Sequence, residues 1–165
     1  MLNLLIQVRE LRALLDTGAP VLVMDCSFDL MNPAAGRAQF EAEHLPGAIY
    51  VDLDRDLSDK GRPASEGRHP LPSRERFAAR LAELGLNPGV QVVAMDRQGL
   101  NYCGRLWWML RWCGHEAVAV LDGGLAAWKA AGGALDSGPA QARPAGDFRL
   151  GPSLAPTVDT AGPQA

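Results

Sequence analysis

The sequence predicts an α/β fold, a mainly parallel sheet with helices on both faces. Short apolar runs rich in Val, Ile and Leu alternate along the chain with amphipathic segments at helical spacing, the order that builds a parallel sheet. Runs such as VLVMD read as strands buried on both faces, as a sheet covered on both sides requires. The size fits: 165 residues with 47% hydrophobic and 21% charged content suit one globular domain with its own core.

Val8, Leu11, Leu14 and Leu15 recur at helical spacing and stop at Gly18 and Pro20, which predicts a short amphipathic helix. Val21 to Asp25 reads as the first strand. Arg37 to Glu43 suggests a short helix ended by the turn His44-Leu45-Pro46-Gly47, and Ala48 to Val51 a second strand closing at Asp52. Residues 54 to 73 are polar, broken by prolines and glycines, and read as a long surface loop. Phe77, Leu81 and Leu84 share a face of a helix that starts near Ser73, a suitable N-cap, and ends at Asn87-Pro88-Gly89. Val90 to Met95 is a third strand, Tyr102 to Cys113 a helix, Ala117 to Leu121 a fourth strand, and Leu125 to Ala131 a last helix stopped by Gly132-Gly133. From Asp136 the composition shifts to Gly, Pro, Ala and Ser without periodicity, so the domain is expected over residues 1–136. Residues 137–165 are expected to be a linker or the start of a further domain.

Several function classes are disfavoured. The net charge of -3 comes from 19 acidic and 16 basic side chains mixed along the chain, so no block presents a cationic face to nucleic acid. Cys26, Cys103 and Cys113 are an odd count at irregular spacing, which argues against a disulfide framework. The histidines are scattered and no CxxC or HExxH occurs, so neither a metal nor another cofactor is expected. Arg9, Glu10 and Arg12 interrupt the N-terminal apolar stretch, and no secretory leader pattern is present. The reading therefore expects no membrane span and a cytoplasmic location.

Three segments resemble the rhodanese family, and in particular the N-terminal domain of tandem thiosulfate and 3-mercaptopyruvate sulfurtransferases. EHLPGAIYVDLD (Glu43 to Asp54) is similar to the family's His-x-Pro-Gly-Ala turn, RLWWMLRWCGH (Arg105 to His115) to the helix after its active-site loop, and VLDGGLAAWKAAGG (Val120 to Gly133) to its closing strand and helix. They cover about residues 20 to 136 in the family's order. The resemblance implies a rhodanese-like sheet of five strands, where the residue pattern alone shows four.

In a sheet of this type ligands lie beyond the carboxyl ends of the strands, which directs attention to Asp96, Arg97, Gln98, Gly99, Leu100 and Asn101 after the third predicted strand. Sulfur transfer in the family places a cysteine first in this loop, where its thiolate holds the transferred sulfur as a persulfide. Here Asp96 stands there. A carboxylate can occupy a cradle of backbone N–H groups built for an anion, but it cannot form a persulfide. Cys103 is the thiol nearest the loop in sequence; its readings are a small buried packing residue or a nucleophile activated at a helix start. The resemblance also implies that Asp52 and His69 assist a serine supplied by a second domain; the other reading of His69 is a loop histidine capping backbone groups. His44 is expected to hold its turn and His115 to meet the last carbonyls of the preceding helix. Trp107, Trp108 and Trp112 wrap more of their helix than one apolar stripe needs, through burial at the centre of the fold or through docking of a partner domain.

These features predict the non-catalytic N-terminal half of a sulfurtransferase, whose partners are a second rhodanese domain and a small sulfur donor. Pro156 to Thr160 resembles the entry into such a domain. The alternatives are a stand-alone non-catalytic module that binds a protein or an anion, and an active single-domain enzyme that uses Cys103.

Overall fold

The computed structural model describes residues 1–159 and 162–163. Strands β1 (Leu5–Ile6), β2 (Val21–Asp25), β3 (Ile49–Tyr50), β4 (Gln91–Met95) and β5 (Val118–Leu121) form a five-stranded sheet in the order β1-β5-β4-β2-β3. Every pairing within it is parallel. The connecting helices are α1 (Val8–Asp16), α2 (Ala35–Ala42), α3 (Arg74–Glu83), α4 (Cys103–Trp112) and α5 (Gly124–Ala130). The strand absent from the residue pattern is β1. Its two residues are too few to show a period, and only Ile6 is buried while Leu5 stays half-exposed.

Alternation along the strands divides the core. Leu22, Met24, Val92, Ala94, Val118 and Val120 face α3 and α4, and pack with Phe77, Leu81, Leu106, Met109 and Leu110. Val23, Val93, Met95, Ala119 and Leu121 face the other side, against Leu11 of α1, Phe40 of α2 and Trp128 of α5. Each fully buried Leu or Phe contributes about 1.5–3 kcal/mol through removal from water, so the two layers are the main source of stability. Truncating one such side chain, Leu106→Ala for instance, costs about 2–5 kcal/mol.

Local signals set the helix ends. Ser73 Oγ accepts from the Arg76 N–H at 3.2 Å as the N-cap of α3. That helix stops earlier than the Asn87-Pro88-Gly89 breaker predicts. Gly85 takes a left-handed φ of 89°, and the N–H groups of Gly85 and Leu86 close on the carbonyls of Ala82 and Leu81. At α1 the cap is Gln7, whose backbone N–H donates to Glu10 Oε2 at 2.8 Å.

Residues 136 to 154 carry no helix and no strand of the sheet, yet they lie against the domain. Asp136 and His44 exchange backbone hydrogen bonds, each at 2.9 Å. Beyond it, the N–H groups of Gly138, Gly146, Phe148, Gly151 and Leu154 donate to the carbonyls of Glu41, Ala82, Leu86, Cys113 and Arg111. These acceptors sit at or just beyond the C-terminal ends of α2, α3 and α4, where helices leave carbonyls unpaired. Phe148 is buried with its ring edge-on to His115, 5.6 Å between centroids. Gly146 has no alternative, since a Cβ there would overlap the Leu86 carbonyl. Farther on, β6 (Val158–Asp159) pairs antiparallel with β7 (Gly162–Pro163); of the tail motif Pro156 to Thr160, Thr160 lies outside the described residues. Among the described residues no helix is long and apolar enough to cross a membrane.

Candidate active-site loop

The C-terminal edge of the sheet is lined with aspartates. Asp25 closes β2, Asp52 follows β3, Asp96 follows β4 and Asp122 follows β5. Asp25, Asp52 and Asp96 accept backbone N–H groups of the segments that follow them, whereas Asp122 accepts the Gln7 side-chain amide at 2.8 Å.

Asp96 does this most completely. Its buried Oδ1 accepts the backbone N–H groups of Gln98 at 3.0 Å and Leu100 at 2.9 Å, and Oδ2 those of Tyr102 at 2.8 Å and Cys103 at 3.0 Å. Residues 97 to 103 thus curl around the carboxylate, with the first N–H groups of α4 among the donors. The curl needs two successive left-handed residues, Gly99 at φ 69° and Leu100 at φ 73°. Leucine is costly there, and the four converging hydrogen bonds hold it. Gly124, at the start of α5, lets that helix approach the loop: a Cβ there would lie 2.5 Å from the Asp96 carbonyl oxygen. The cradle is an anion site filled by the chain's own side chain.

Arg97 and Gln98 tie the loop to neighbouring elements. Arg97 donates to Asp25 Oδ2 at 3.0 Å and Ser27 Oγ at 3.1 Å, and also to the Glu43 carbonyl, while Asp25 Oδ1 accepts the Ser27 hydroxyl at 2.6 Å. Gln98 bridges from the Phe28 N–H to Gln39. Asn101 is exposed. A cleft of about 680 Å3 opens beside the loop, bounded by Arg97, Gly99 and Leu100 on one side and by α5 on the other.

Asp52 and His69 are not brought together as a pair. Asp52 Oδ1 turns back to accept the N–H groups of Asp54 at 2.9 Å and Arg55 at 3.0 Å, a turn cap. The carboxylate facing His69 is Asp54, with Oδ1 3.1 Å from Nδ1 and Lys60 Nζ at 3.1 Å from the same oxygen. The approach to Nδ1 is not aligned as a hydrogen bond, and both ring nitrogens are buried without a hydrogen-bond partner among the described residues. Burial, with Lys60 next, lowers the His69 pKa, while Asp54 opposes them, so the ring is neutral at pH 7. Arg105 positions this segment by donating to the carbonyls of Leu57 at 2.7 Å and His69 at 2.9 Å. Asp54 and Arg105 were missed by sequence reasoning; the only available signal was Asp54 standing two residues from Asp52 in the same acidic turn.

The cysteines are buried and free. Cys103 opens α4, but the helix start does not activate it, because the Asp96 carboxylate already occupies that field. Burial first and Asp96 second push its thiol pKa far up. Burial likewise raises Cys26, and takes Cys113 up to about 11. His44 stacks on Phe40 and its Nδ1 lies 2.8 Å from the Phe40 carbonyl, which accepts from it, so it holds the turn. The His115 ring goes elsewhere than expected. Nε2 donates to the Val90 carbonyl at 2.9 Å, at the entry to β4, and only its backbone N–H closes α4, on Leu110. The three tryptophans of α4 are partly buried: the Trp107 indole donates to the Asn3 carbonyl at 2.9 Å, and Trp108 stacks on Trp112 at 5.4 Å. Among the described residues no group of three or more His, Cys, Asp or Glu side chains is arranged to hold a metal ion.

A parallel α/β sheet whose β4–α4 loop closes on an anion is the build of a rhodanese domain. The family model for the rhodanese-like domain matches residues 7–131, and the chain belongs to the rhodanese family. It is 44% identical over 146 residues to the probable 3-mercaptopyruvate sulfurtransferase of Pseudomonas aeruginosa, covering 88% of this chain and 51% of that protein. It is 40% identical over 149 residues to the human 3-mercaptopyruvate sulfurtransferase, covering 86% and 48%. Among solved structures, SseA from Escherichia coli, a 3-mercaptopyruvate sulfotransferase, superposes with a TM-score of 0.81 at 28% identity over 95% of this chain and 58% of that one. The chain thus spans about half the length of the curated relatives it matches.

Proposed function

We propose that this chain is the non-catalytic N-terminal half of a 3-mercaptopyruvate or thiosulfate sulfurtransferase. The observation that carries the reading is the Asp96 carboxylate, which holds four backbone N–H groups in a loop where sulfur transfer needs a thiolate. No persulfide can form on a carboxylate, and the three thiols are buried and protonated. The nucleophile is then supplied by a second rhodanese domain, which takes sulfur from a small donor and passes it to a thiophilic acceptor. Relatives of which this chain matches about half the length support that division.

The contribution of this half to chemistry is His69. With a neutral imidazole beside Asp54 and no hydrogen-bond partner for its buried nitrogens among the described residues, it is ready to orient or accept a proton from a hydroxyl brought by the partner domain. The role read for Asp52 passes to Asp54. A stand-alone anion-binding module is disfavoured, because the loop's donors are already satisfied from within.

The test is intact mass of the purified chain after incubation with thiosulfate or 3-mercaptopyruvate, alongside a cyanide-acceptor turnover assay. The reading expects no sulfur adduct and no turnover above background. A reductant-reversible gain of one sulfur atom on any of the three cysteines would overturn it.

A further inference from the structure

Away from the loop, a second pocket lies between the Asp52–Ser58 turn and α3, with a volume of about 260 Å3. Three arginines line it: Arg55 from the turn, and Arg76 and Arg80 one helical turn apart on α3. Ser58 lines it too; that residue is 3% exposed and its hydroxyl has no hydrogen-bond partner among the described residues. A buried unpaired hydroxyl is uncommon, because leaving it unmade costs about 1–3 kcal/mol.

The carboxylates at this pocket do not cancel its donors. Asp56 is committed on both oxygens, Oδ1 to Arg80 Nε at 2.8 Å and Oδ2 to the Asp52 N–H at 2.8 Å. Glu83 takes Arg80 Nη1 at 2.9 Å from a side chain 65% exposed, where water screens its charge. The pair anchors the Arg80 guanidinium through Nε and Nη1 and leaves Nη2 uncommitted among the described residues. Arg76 spends one nitrogen on Asp59, and Arg55 forms no ion pair among the described residues. One guanidinium fixed at Arg80, with spare N–H donors there and on the exposed Arg55 and Arg76 beside an unpaired hydroxyl, matches the planar, charge-assisted recognition of oxyanions.

We propose that this pocket binds a small oxyanion of the phosphate or sulfate class. It is independent of the Asp96 cradle and of His69, and it takes no part in sulfur transfer. Arg55 and Arg76 clamp the anion, Arg80 presents its fixed edge, and the Ser58 hydroxyl completes the floor. Because the lining charges nearly balance, binding is weak and depends on those donors rather than on a broad positive field.

The test titrates the chain with inorganic phosphate at constant ionic strength, read by isothermal calorimetry and by 31P line width, with chloride as control. Saturable one-site binding is expected, weakened at least tenfold by Arg55→Gln and by Arg76→Gln, and several-fold by Ser58→Ala. Arg55 is exposed, so Arg55→Gln keeps the unfolding midpoint and separates lost binding from lost fold. No saturation, an equal response to chloride, or equal affinity in the folded Arg55→Gln protein would overturn the proposal.

Discussion

Replacing Asp96 by asparagine tests whether the loop is held by its own carboxylate. The side chain keeps its size but offers one acceptor oxygen in place of two. That oxygen can serve one pair of N–H groups, Gln98 and Leu100 or Tyr102 and Cys103; the new NH2 group then faces the other pair. Two N–H donors are orphaned at about 1–3 kcal/mol each, so the expected loss is about 2–6 kcal/mol. Against a typical total of about 5–15 kcal/mol, this is a large fraction of the stability. The assay is equilibrium urea unfolding followed by tryptophan fluorescence, with Asp147→Asn as control. Asp147 is 74% exposed and pairs with Arg149, so its replacement should change stability by less than about 0.5 kcal/mol. An Asp96→Asn protein within about 1 kcal/mol of the parent would refute the argument that the four hydrogen bonds organise the loop.

Further outcomes follow from the buried groups. Burial lowers the pKa of His115 against the opposing pull of the Val90 and Ala117 backbone, and His69 shifts the same way. The unfolded chain therefore binds more protons than the folded one below about pH 6.5, so these groups leave stability intact above that value and erode it as pH falls toward the folded pKa. The urea midpoint should drop between about pH 7 and 5, with His115→Gln, which retains an N–H for Val90, showing a shallower drop; an equal slope in both proteins would remove His115 from the account. All three thiols should resist Ellman's reagent in the native protein and react together in denaturant, whereas fast native labelling of Cys103 would contradict its burial beneath Asp96. Phe148→Ala should cost about 3–5 kcal/mol if residues after 136 belong to the folding unit, and a loss below about 1 kcal/mol would mark them as dispensable.

The sequence by itself determined the layered α/β class, because helical and strand periods report burial directly. It also placed four strands, the helices near their true positions, the loop that opens with Asp96, and the likeness to the rhodanese family. The limits of that reading are physical. β1 is too short to have a period, and α3 ends where Gly85 turns left-handed, upstream of the more conspicuous Pro88. Composition made residues 136 to 154 look like a tether, but backbone donors carry no residue signature, and only folding placed them opposite the open carbonyls of α2, α3 and α4. Which of Asp52 and Asp54 faces His69 was set in the same way. The two differ by two positions along one turn, and the direction of each carboxylate depends on which N–H groups and which loop come within hydrogen-bond reach once the chain is packed.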